Sequence, residues 1–291
     1  MGGKYENKGS ERSEWSTIIE PHKNLFDVNL KEIWRYKDLL MLLVRRDFIA
    51  FYKQTILGPI WFFVQPMLTT LMYLLVFGRI AKLPTDGIPP VLFYMAGVTC
   101  WSYVSESLTK TSDTFIANAN IFGKVYFPRV IIPVSIVISN LIRFGIQFSL
   151  FAGIWTFYFF KPDSQLHLSA YVLLVPVLVL MMALLSLGFG IIFSSLTTKY
   201  RDLRFLLTFG IQLLMYATPV VYPLSMAPAK LRWLIVGNPF TAIIETFRFA
   251  FTGAGTFSWM HLGYSAIFTI AILLTGVLIF NKVERSFMDT V

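Results

Sequence analysis

The chain has 291 residues, of which 56% are hydrophobic and only 14% charged, and its mean hydropathy is +0.64. That composition leaves too little polar surface to coat a soluble globule of this size, so it favours an integral membrane protein. The formal net charge of +9 does not indicate nucleic-acid binding, because the basic residues flank apolar runs and concentrate before the first of them. Attraction to anionic lipid headgroups explains this distribution better. The lone cysteine, Cys100, excludes an intrachain disulfide framework and carries no metal-binding signature.

The chain begins with a polar stretch. Residues 1–29 lack a sustained apolar period and predict a loosely ordered cytoplasmic tail. In residues 30–56, apolar side chains such as Trp34 and Phe48 share one face of a helix and cations share the opposite face. We expect an amphipathic interfacial helix on the inner membrane surface. The alternative is a helix packed on a soluble domain, although no soluble domain is evident in the rest of the chain.

Residues 57–291 predict an all-α domain of six transmembrane helices. A spanning helix needs roughly 20 apolar residues to cross a hydrocarbon core about 30 Å thick. The uncharged or nearly uncharged runs are Ile56 to Gly78, Ile88 to Ser105, Val130 to Phe160, Leu168 to Thr198, Phe205 to Ala229 and His261 to Asn281.

The distribution of Lys and Arg predicts the orientation of these helices. If the N-terminus lies inside, the inner segments hold eighteen of the twenty-five Lys and Arg, and the outer connections hold six. This asymmetry is what the positive-inside rule requires of six spans with both termini in the cytoplasm.

Two connecting segments differ from simple loops. Residues 110–133 are moderately polar and long enough for one or two short cytoplasmic helices. Residues 223–259 contain three prolines and two short apolar stretches, which predict two short re-entrant helices in the outer leaflet. Irregular backbone at that depth must be shielded by protein or line a wet cavity, so this region is expected to border a pathway. A folded extracellular loop resting on the membrane surface is the alternative.

The sequence contains no evident energy source for transport. The predicted spans carry few titratable groups, whereas ion-coupled carriers usually keep carboxylates or paired discontinuous helices at the midplane. No G-x-x-x-x-G-K-[ST] motif for nucleotide binding occurs. Any active transport must therefore take its energy from another subunit.

Several short motifs then follow one another in a set order over residues 30 to 291. They are Arg46-Asp47, Tyr52-Lys53, Leu57-Gly58-Pro59-Ile60-Trp61, Pro66, Lys124-Val125-Tyr126-Phe127-Pro128, Tyr200-Arg201-Asp202-Leu203, Pro219-Val220-Val221-Tyr222-Pro223 and Asn238-Pro239. In this order they resemble the ABC-2 permeases that export lipid-linked polysaccharides, above all the O-antigen, capsule and teichoic acid exporters of bacteria.

The resemblance implies a homodimer bound to two copies of a separate ATP-binding cassette subunit, which would bind ATP and Mg. This chain itself would hold no cofactor and no catalytic residue, and it would lie in the bacterial inner membrane. The family docks its ATPase on the interfacial helix and on the segment between spans two and three. The implied contact residues are Arg45, Arg46, Asp47, Asn118, Asn120 and Lys124, with Tyr200, Arg201 and Asp202 on the other short inner loop. For each of these residues, a solvated face or a headgroup contact is the alternative.

Sugar polymers need a conduit in which rings stack on aromatic faces while weak, repeated hydrogen bonds allow sliding. The family closes its channel largely with the first and fifth spans. The candidate pathway residues are Trp61, Phe62, Tyr73, Arg143, Gln147 and Tyr216.

Arg143 is the most informative of these residues. An isolated Arg in hydrocarbon costs roughly 2.5 kcal/mol or more, so it should find a partner, a cavity or a snorkelling route. Gln147 shares its helix face. We hypothesise that Arg143 meets the phosphate of a lipid-linked substrate or a polar group at the dimer seam; snorkelling to the headgroups is the alternative.

The sequence therefore predicts the permease subunit of an exporter that moves lipid-linked polysaccharide from cytoplasm to periplasm. An ABC-2 permease for small lipophilic compounds or lipids would share the same topology. A membrane-embedded enzyme acting on polyprenyl phosphate would need clustered acidic or His residues, which are not evident. A gated channel without an energy source is the third alternative.

Overall fold

The computed structural model describes residues 34–53, 55–122, 127–162, 166–200 and 202–288, with backbone alone at 51, 52, 119, 120 and 284–288. All regular secondary structure in these ranges is helical, which confirms the all-α prediction. The helices are α1 (Lys37–Tyr52), α2 (Trp61–Tyr73), α3 (Pro90–Ser112), α4 (Thr114–Ala117), α5 (Ala119–Phe122), α6 (Ile131–Phe159), α7 (Val175–Lys199), α8 (Leu203–Tyr216), α9 (Arg232–Gly237), α10 (Pro239–Thr252) and α11 (Trp259–Met288).

Four stretches of helix are long and apolar enough to cross a membrane: Gly58–Ile80, Ile131–Phe159, Ala170–Lys199 and Trp259–Val283. The first joins α2 to a 3-10 turn before it, Gly58–Ile60, and to a π-helical segment after it, Leu74–Ile80. Gly58 has a φ of +52°, a conformation that glycine adopts without steric cost, and it turns the chain from α1 into α2.

The second and fifth predicted runs differ from these four. The second run lies within α3 except for its first two residues, and α3 has 23 residues but carries Glu106 and Lys110 in its last two turns. The fifth run, Phe205 to Ala229, does not form a single helix, because α8 ends at Tyr216 after 14 residues. Pro219 restricts the residue before it to extended backbone and supplies no N–H, so the helix cannot continue through it.

The centre of the bundle is α3, whose residues from Leu92 to Trp101 are all buried. It packs against α2, α6, α7, α8 and α10. Helices α7 and α11 approach each other closely: a Cβ added at Gly276 would lie 2.8 Å from the carbonyl oxygen of Gly188. Glycine at these two positions therefore allows the two backbones to touch.

A second core lies at one end of the bundle, which we call the α4–α5 end. It contains Leu43 of α1, Phe115 of α4, Phe122 of α5 and Phe280 of α11. The rings of Phe115 and Phe280 stack with their centroids 4.9 Å apart. Helix α1 is therefore packed on the bundle, and two short helices occupy part of the segment 110–133.

The opposite end, which we call the α9 end, carries the two helices found within residues 223–259. The Asn238 side chain caps α10 by accepting a hydrogen bond from the Phe240 N–H at 3.1 Å, and Pro239 occupies the first turn. Gly253, with a φ of +68°, ends α10 in the left-handed conformation typical of helix C-termini. Almost all of α10 is buried.

Candidate functional site

Helix α2 presents a stripe of polar and aromatic side chains that the subunit leaves open. Trp61 and Gln65 are exposed, and Thr69 and Tyr73 are partly exposed. These four residues recur every fourth position, so they lie on one face of the helix. The neighbouring face, with Phe62, Pro66 and Thr70 buried, packs on the bundle.

Helix α8 has the same arrangement. Arg204, Thr208, Gln212 and Tyr216 are exposed and again four residues apart. Only Leu207 and Ile211 of this helix are buried. A depression of about 470 Å³ lies against the exposed face, lined by Arg204, Thr208 and Gln212 together with two phenylalanines.

The two striped helices both pack on α3 and meet near the α9 end. There the Tyr73 hydroxyl donates a hydrogen bond to the Met215 sulfur at 3.2 Å. The Tyr222 hydroxyl donates to the Tyr216 carbonyl oxygen at 2.8 Å, which ties the last turn of α8 to the chain that follows it. The arrangement leaves two lines of hydroxyl, amide and aromatic groups facing away from the subunit.

Arg143 is buried beside α3, not on this exposed face. Its Nη1 donates to the Glu106 carboxylate, and only 6% of its side chain is exposed. The Lys110 ammonium binds the same carboxylate at 2.7 Å, with 40% of its side chain exposed. The Arg143 guanidinium also lies 5.7 Å from the centre of the Phe62 ring, and Phe62 in turn stacks on Phe48 of α1. This cluster neutralises a charge that would otherwise be costly inside the bundle.

A second buried ion pair stabilises the non-helical chain that follows α8. Arg248 of α10 is 1% exposed and donates to the carbonyl oxygens of Pro219 and Val220. Its Nη1 lies 3.1 Å from the Glu245 carboxylate, and the guanidinium stacks 3.8 Å from the centre of the Phe93 ring. Arg248 thus satisfies carbonyl groups of the non-helical chain that follows α8.

The residues predicted to contact the ATPase lie on elements that form or adjoin the α4–α5 end. Arg45 and Arg46 are exposed, and Arg46 forms an ion pair with the neighbouring Asp47 at 2.8 Å. Asn118 lies just after α4, where its amide donates to the Thr114 carbonyl oxygen at 3.0 Å. Tyr200 and Asp202 are exposed in the turn between α7 and α8.

The profile of the ABC-2 type transporter family matches residues 38–252, which is most of the chain. The chain belongs to the ABC-2 type transporter family. The matched region runs from α1 through α10 and so includes both striped helices, the α4–α5 end and the two helices at the α9 end.

Curated relatives of this ABC-2 chain are named for polymer export. It is 29% identical over 252 residues to the O-antigen export system permease protein RfbA of Klebsiella pneumoniae, covering 87% of this chain and 94% of the relative. It is 29% identical to the protein of that name in Myxococcus xanthus, covering 76% and 83%. The polysialic acid transport protein KpsM of Escherichia coli is 21% identical, covering 80% and 89%.

The structure sorts the predicted pathway residues of this ABC-2 protein into two groups. Trp61, Tyr73 and Tyr216 belong to the two stripes. Phe62 and Arg143 are buried within the subunit, and Gln147, one turn after Arg143, is partly buried on α6.

The predicted contact residues that the structure describes come from three places in the chain. Arg45, Arg46 and Asp47 follow Leu43 of the second core on α1, and Asn118 follows α4. Tyr200 and Asp202 lie in the turn before Arg204, which pairs with Asp113. Lys124, Arg201 and residues 1–33 lie outside the described residues, as does the side chain of Asn120.

Sequence reasoning missed the polar members of the stripes, Gln65, Thr69, Thr208 and Gln212. The signal was present as polar residues spaced four apart within apolar runs, a spacing that puts them on one helix face. It also missed the role of Arg248, because its partners Pro219 and Val220 come from a different element. Among the described residues, no three His, Cys, Asp or Glu side chains gather where they could hold a metal ion.

Proposed function

We propose that this chain is the membrane permease subunit of an ATP-driven exporter that moves lipid-linked polysaccharide from the cytoplasmic to the periplasmic side of a bacterial inner membrane. The observation that carries the proposal is the pair of open stripes on α2 and α8. The names of the curated relatives support the same substrate class.

The chemistry of the stripes suits a sliding sugar chain. Indole and phenol rings offer flat apolar faces to sugar rings, and the amide and hydroxyl groups between them donate and accept hydrogen bonds. Each such hydrogen bond contributes only about 1 kcal/mol net. A polymer held by many contacts of that size stays bound on average while individual contacts exchange, so it can move along the helices.

A homodimer would enclose these stripes. In one subunit they face outward, beside apolar side chains such as Phe205 and Phe209 that are also exposed. A second copy related by a two-fold axis would bring the same helices together around a channel, because a symmetric contact uses the same surface twice. Large exposed apolar patches beside polar groups are typical of interaction or ligand surfaces.

The proposed topology has six spans with both termini in the cytoplasm. Four are the long apolar helices; α3 is the second, and α8 with the chain that follows it is the fifth. Helices α9 and α10 would be the re-entrant helices of the outer leaflet. The buried pair of Glu245 and Arg248 supports this placement, because irregular backbone at that depth needs internal partners for its carbonyl groups.

The energy would come from two copies of a partner ATPase that bind ATP and Mg. Its docking surface would be the α4–α5 end, where Arg45, Arg46, Asp47 and Asn118 lie near the turn carrying Tyr200 and Asp202. Asn120, Lys124 and Arg201 are proposed for the same surface.

The test is export in a bacterial strain that lacks this chain and receives variants of it. Without the chain, we expect lipid-linked polysaccharide to accumulate in the cytoplasm and to disappear from the cell surface. Gln65→Ala and Gln212→Ala should each lower the surface polymer by roughly fivefold, the effect of about 1 kcal/mol. Thr275→Ala is the matched control, because Thr275 is an exposed hydroxyl on α11 away from both stripes.

Three results would favour the other functions. Unchanged polysaccharide export with loss of transport of small lipophilic compounds would indicate the lipophilic-compound permease. Transport by the purified chain without an ATPase subunit would indicate a channel. Chemical conversion of a polyprenyl phosphate by the purified chain would indicate an enzyme.

A further inference from the structure

An ion pair joins the segment that links α3 to α4 with the first turn of α8. Asp113 is the single residue between those two helices, and its Oδ2 lies 2.8 Å from Nη2 of Arg204. Neither residue belongs to the sequence-predicted contact or pathway residues. The pair connects the α4–α5 end directly to one of the two striped helices.

The α3–α4 junction is fixed to the end of α7. The Thr197 hydroxyl donates to the carbonyl oxygen of Ser112 at 3.1 Å, and the backbone N–H of Phe115 donates to the Ser194 hydroxyl at 3.3 Å. A Cβ added at Gly190 would lie 2.5 Å from the Cβ of Thr111. With backbones this close and hydrogen bonds on both sides of Asp113, a displacement of α4 must carry the end of α7 with it.

Helix α8 is held much more loosely. Two of its 14 residues are buried, and residues 200–202 connect it to α7. Its far end is fixed by Tyr73 and by Asn238, whose amide donates to the Thr218 hydroxyl at 2.7 Å. The near end of α8 can therefore shift more easily than its far end. Among the described residues, the ion pair between Arg204 and Asp113 is the polar link between this near end and the α3–α4 junction.

The pair is held through one oxygen of the Asp113 carboxylate. The other oxygen, Oδ1, is buried and has no hydrogen-bond partner among the described residues. A guanidinium can bind a carboxylate through one or two parallel hydrogen bonds. The structure shows the arrangement with one bond, and a small movement of α4 relative to α8 would allow a second bond to Oδ1.

We infer that the Arg204–Asp113 pair passes movement of the α4–α5 segment to α8, and that both are positioning residues for transport. This inference rests on the proposed function, because it takes α8 as a channel wall and the α4–α5 end as the place where the ATPase pushes. Nucleotide binding displaces α4, Asp113 pulls Arg204, and the near end of α8 moves relative to α2. The channel width then follows the state of the ATPase.

The experiment uses the full complex of this chain with its ATPase subunit in lipid vesicles. Leu206, an exposed residue of α8 outside its polar stripe, is replaced by cysteine in a Cys100→Ala background, and its rate of reaction with a maleimide is measured with and without ATP and Mg. Export of lipid-linked polysaccharide per ATP hydrolysed is measured on the same variants. Both measurements report the coupling between ATP and movement or export. A general loss of folded protein would lower export and ATP hydrolysis together, so it would not change export per ATP.

We expect Arg204→Gln and Asp113→Asn each to lower export per ATP by about fivefold, the upper range for a solvent-exposed pair, while ATP hydrolysis continues. The effect of ATP on the labelling rate should shrink in both variants. The charge-reversed double variant, Arg204→Asp with Asp113→Arg, should recover most of the coupling. Lys161→Gln is the control, because this exposed cation lies over an aromatic ring, 4.6 Å from the centre of Tyr158, but it is outside both stripes and the proposed docking surface.

The inference and the proposed function fail in different ways. If ATP still changes the labelling of α8 to the same extent in Arg204→Gln, the inference is overturned, whatever the substrate. If the Lys161→Gln control loses as much coupling as Arg204→Gln, the effect is one of overall charge and the inference is again overturned. If the unmodified complex hydrolyses ATP and moves α8 but exports no polysaccharide, the proposed function fails while the link between Asp113 and Arg204 stands.

Discussion

The carboxylate of Glu106 binds both the buried Arg143 and the half-exposed Lys110. The structure predicts that these two ion pairs differ greatly in strength. The Arg143 side chain is 6% exposed, that of Glu106 33% and that of Lys110 40%. Glu106→Gln keeps the shape of the side chain but removes the charge of the carboxylate that Arg143 binds. Breaking a buried ion pair by removing one partner costs about 3–5 kcal/mol, whereas an exposed pair contributes about 0–1 kcal/mol.

We expect Glu106→Gln to lower the free energy of unfolding by about 3 kcal/mol, the low end of that range, because a third of Glu106 is exposed to solvent. Lys110→Met should lower it by less than about 1 kcal/mol. A double-mutant cycle separates the two bonds: the coupling energy between Glu106 and Arg143, using Arg143→Met, should exceed that between Glu106 and Lys110 by about 2 kcal/mol.

The assay is reversible unfolding in mixed detergent micelles, followed through the fluorescence of the seven tryptophans. Lys110→Met is the matched control, since it removes a cation from the same carboxylate at a more exposed position. Equal coupling energies for the two cations would refute the reasoning, because burial would then not decide the strength of the bond. A loss below about 1 kcal/mol in Glu106→Gln would show that Arg143 is compensated elsewhere.

Three further predictions concern packing. Arg248→Met should abolish most of the monodisperse folded protein seen by size-exclusion chromatography, since it leaves the buried Glu245 without its cation. Arg248→Lys should recover only part of the folded protein, because an ammonium lacks the planar guanidinium fork that binds two carbonyl groups. Gly276→Ala should lower stability by about 1–3 kcal/mol in the unfolding assay, because its Cβ would overlap α7, whereas Gly263→Ala, with open space at its Cβ, should be neutral or stabilising by up to about 1 kcal/mol. Cys100, which is 0% exposed, should react with maleimide only after denaturation, and rapid labelling of the folded protein would contradict the central position of α3.

Helical content and the long apolar segments were predictable from local information. Hydrophobic runs such as Val130 to Phe160 and Leu168 to Thr198 closely match the helical stretches Ile131–Phe159 and Ala170–Lys199, because a helix in lipid satisfies its own backbone hydrogen bonds. The fifth run shows the limit of this reasoning. Hydropathy remains high from Phe205 to Ala229, but the helix ends at Tyr216. Pro219 affects the backbone only near itself, and a hydropathy value averaged over the whole run does not show this effect.

The candidate site was predictable only in part. That Arg143 needs a partner follows from the cost of an unpaired charge in an apolar setting. That the partner is Glu106, 37 positions earlier, depends on how α3 packs against α6. Similarly, Trp61 and Phe62 are adjacent and equally aromatic in sequence, but a step of 100° around α2 exposes one and buries the other.

The sequence by itself determined the solvent in which this protein folds, the helical class of the fold and membership in the ABC-2 type transporter family, because composition, apolar run length and motif order are properties of the chain. Tertiary structure alone decided which faces of α2 and α8 stay open, which carboxylate neutralises Arg143, and that Asp113 reaches Arg204. These pairings join residues far apart in sequence, and the relative rotation and spacing of the packed helices determine them.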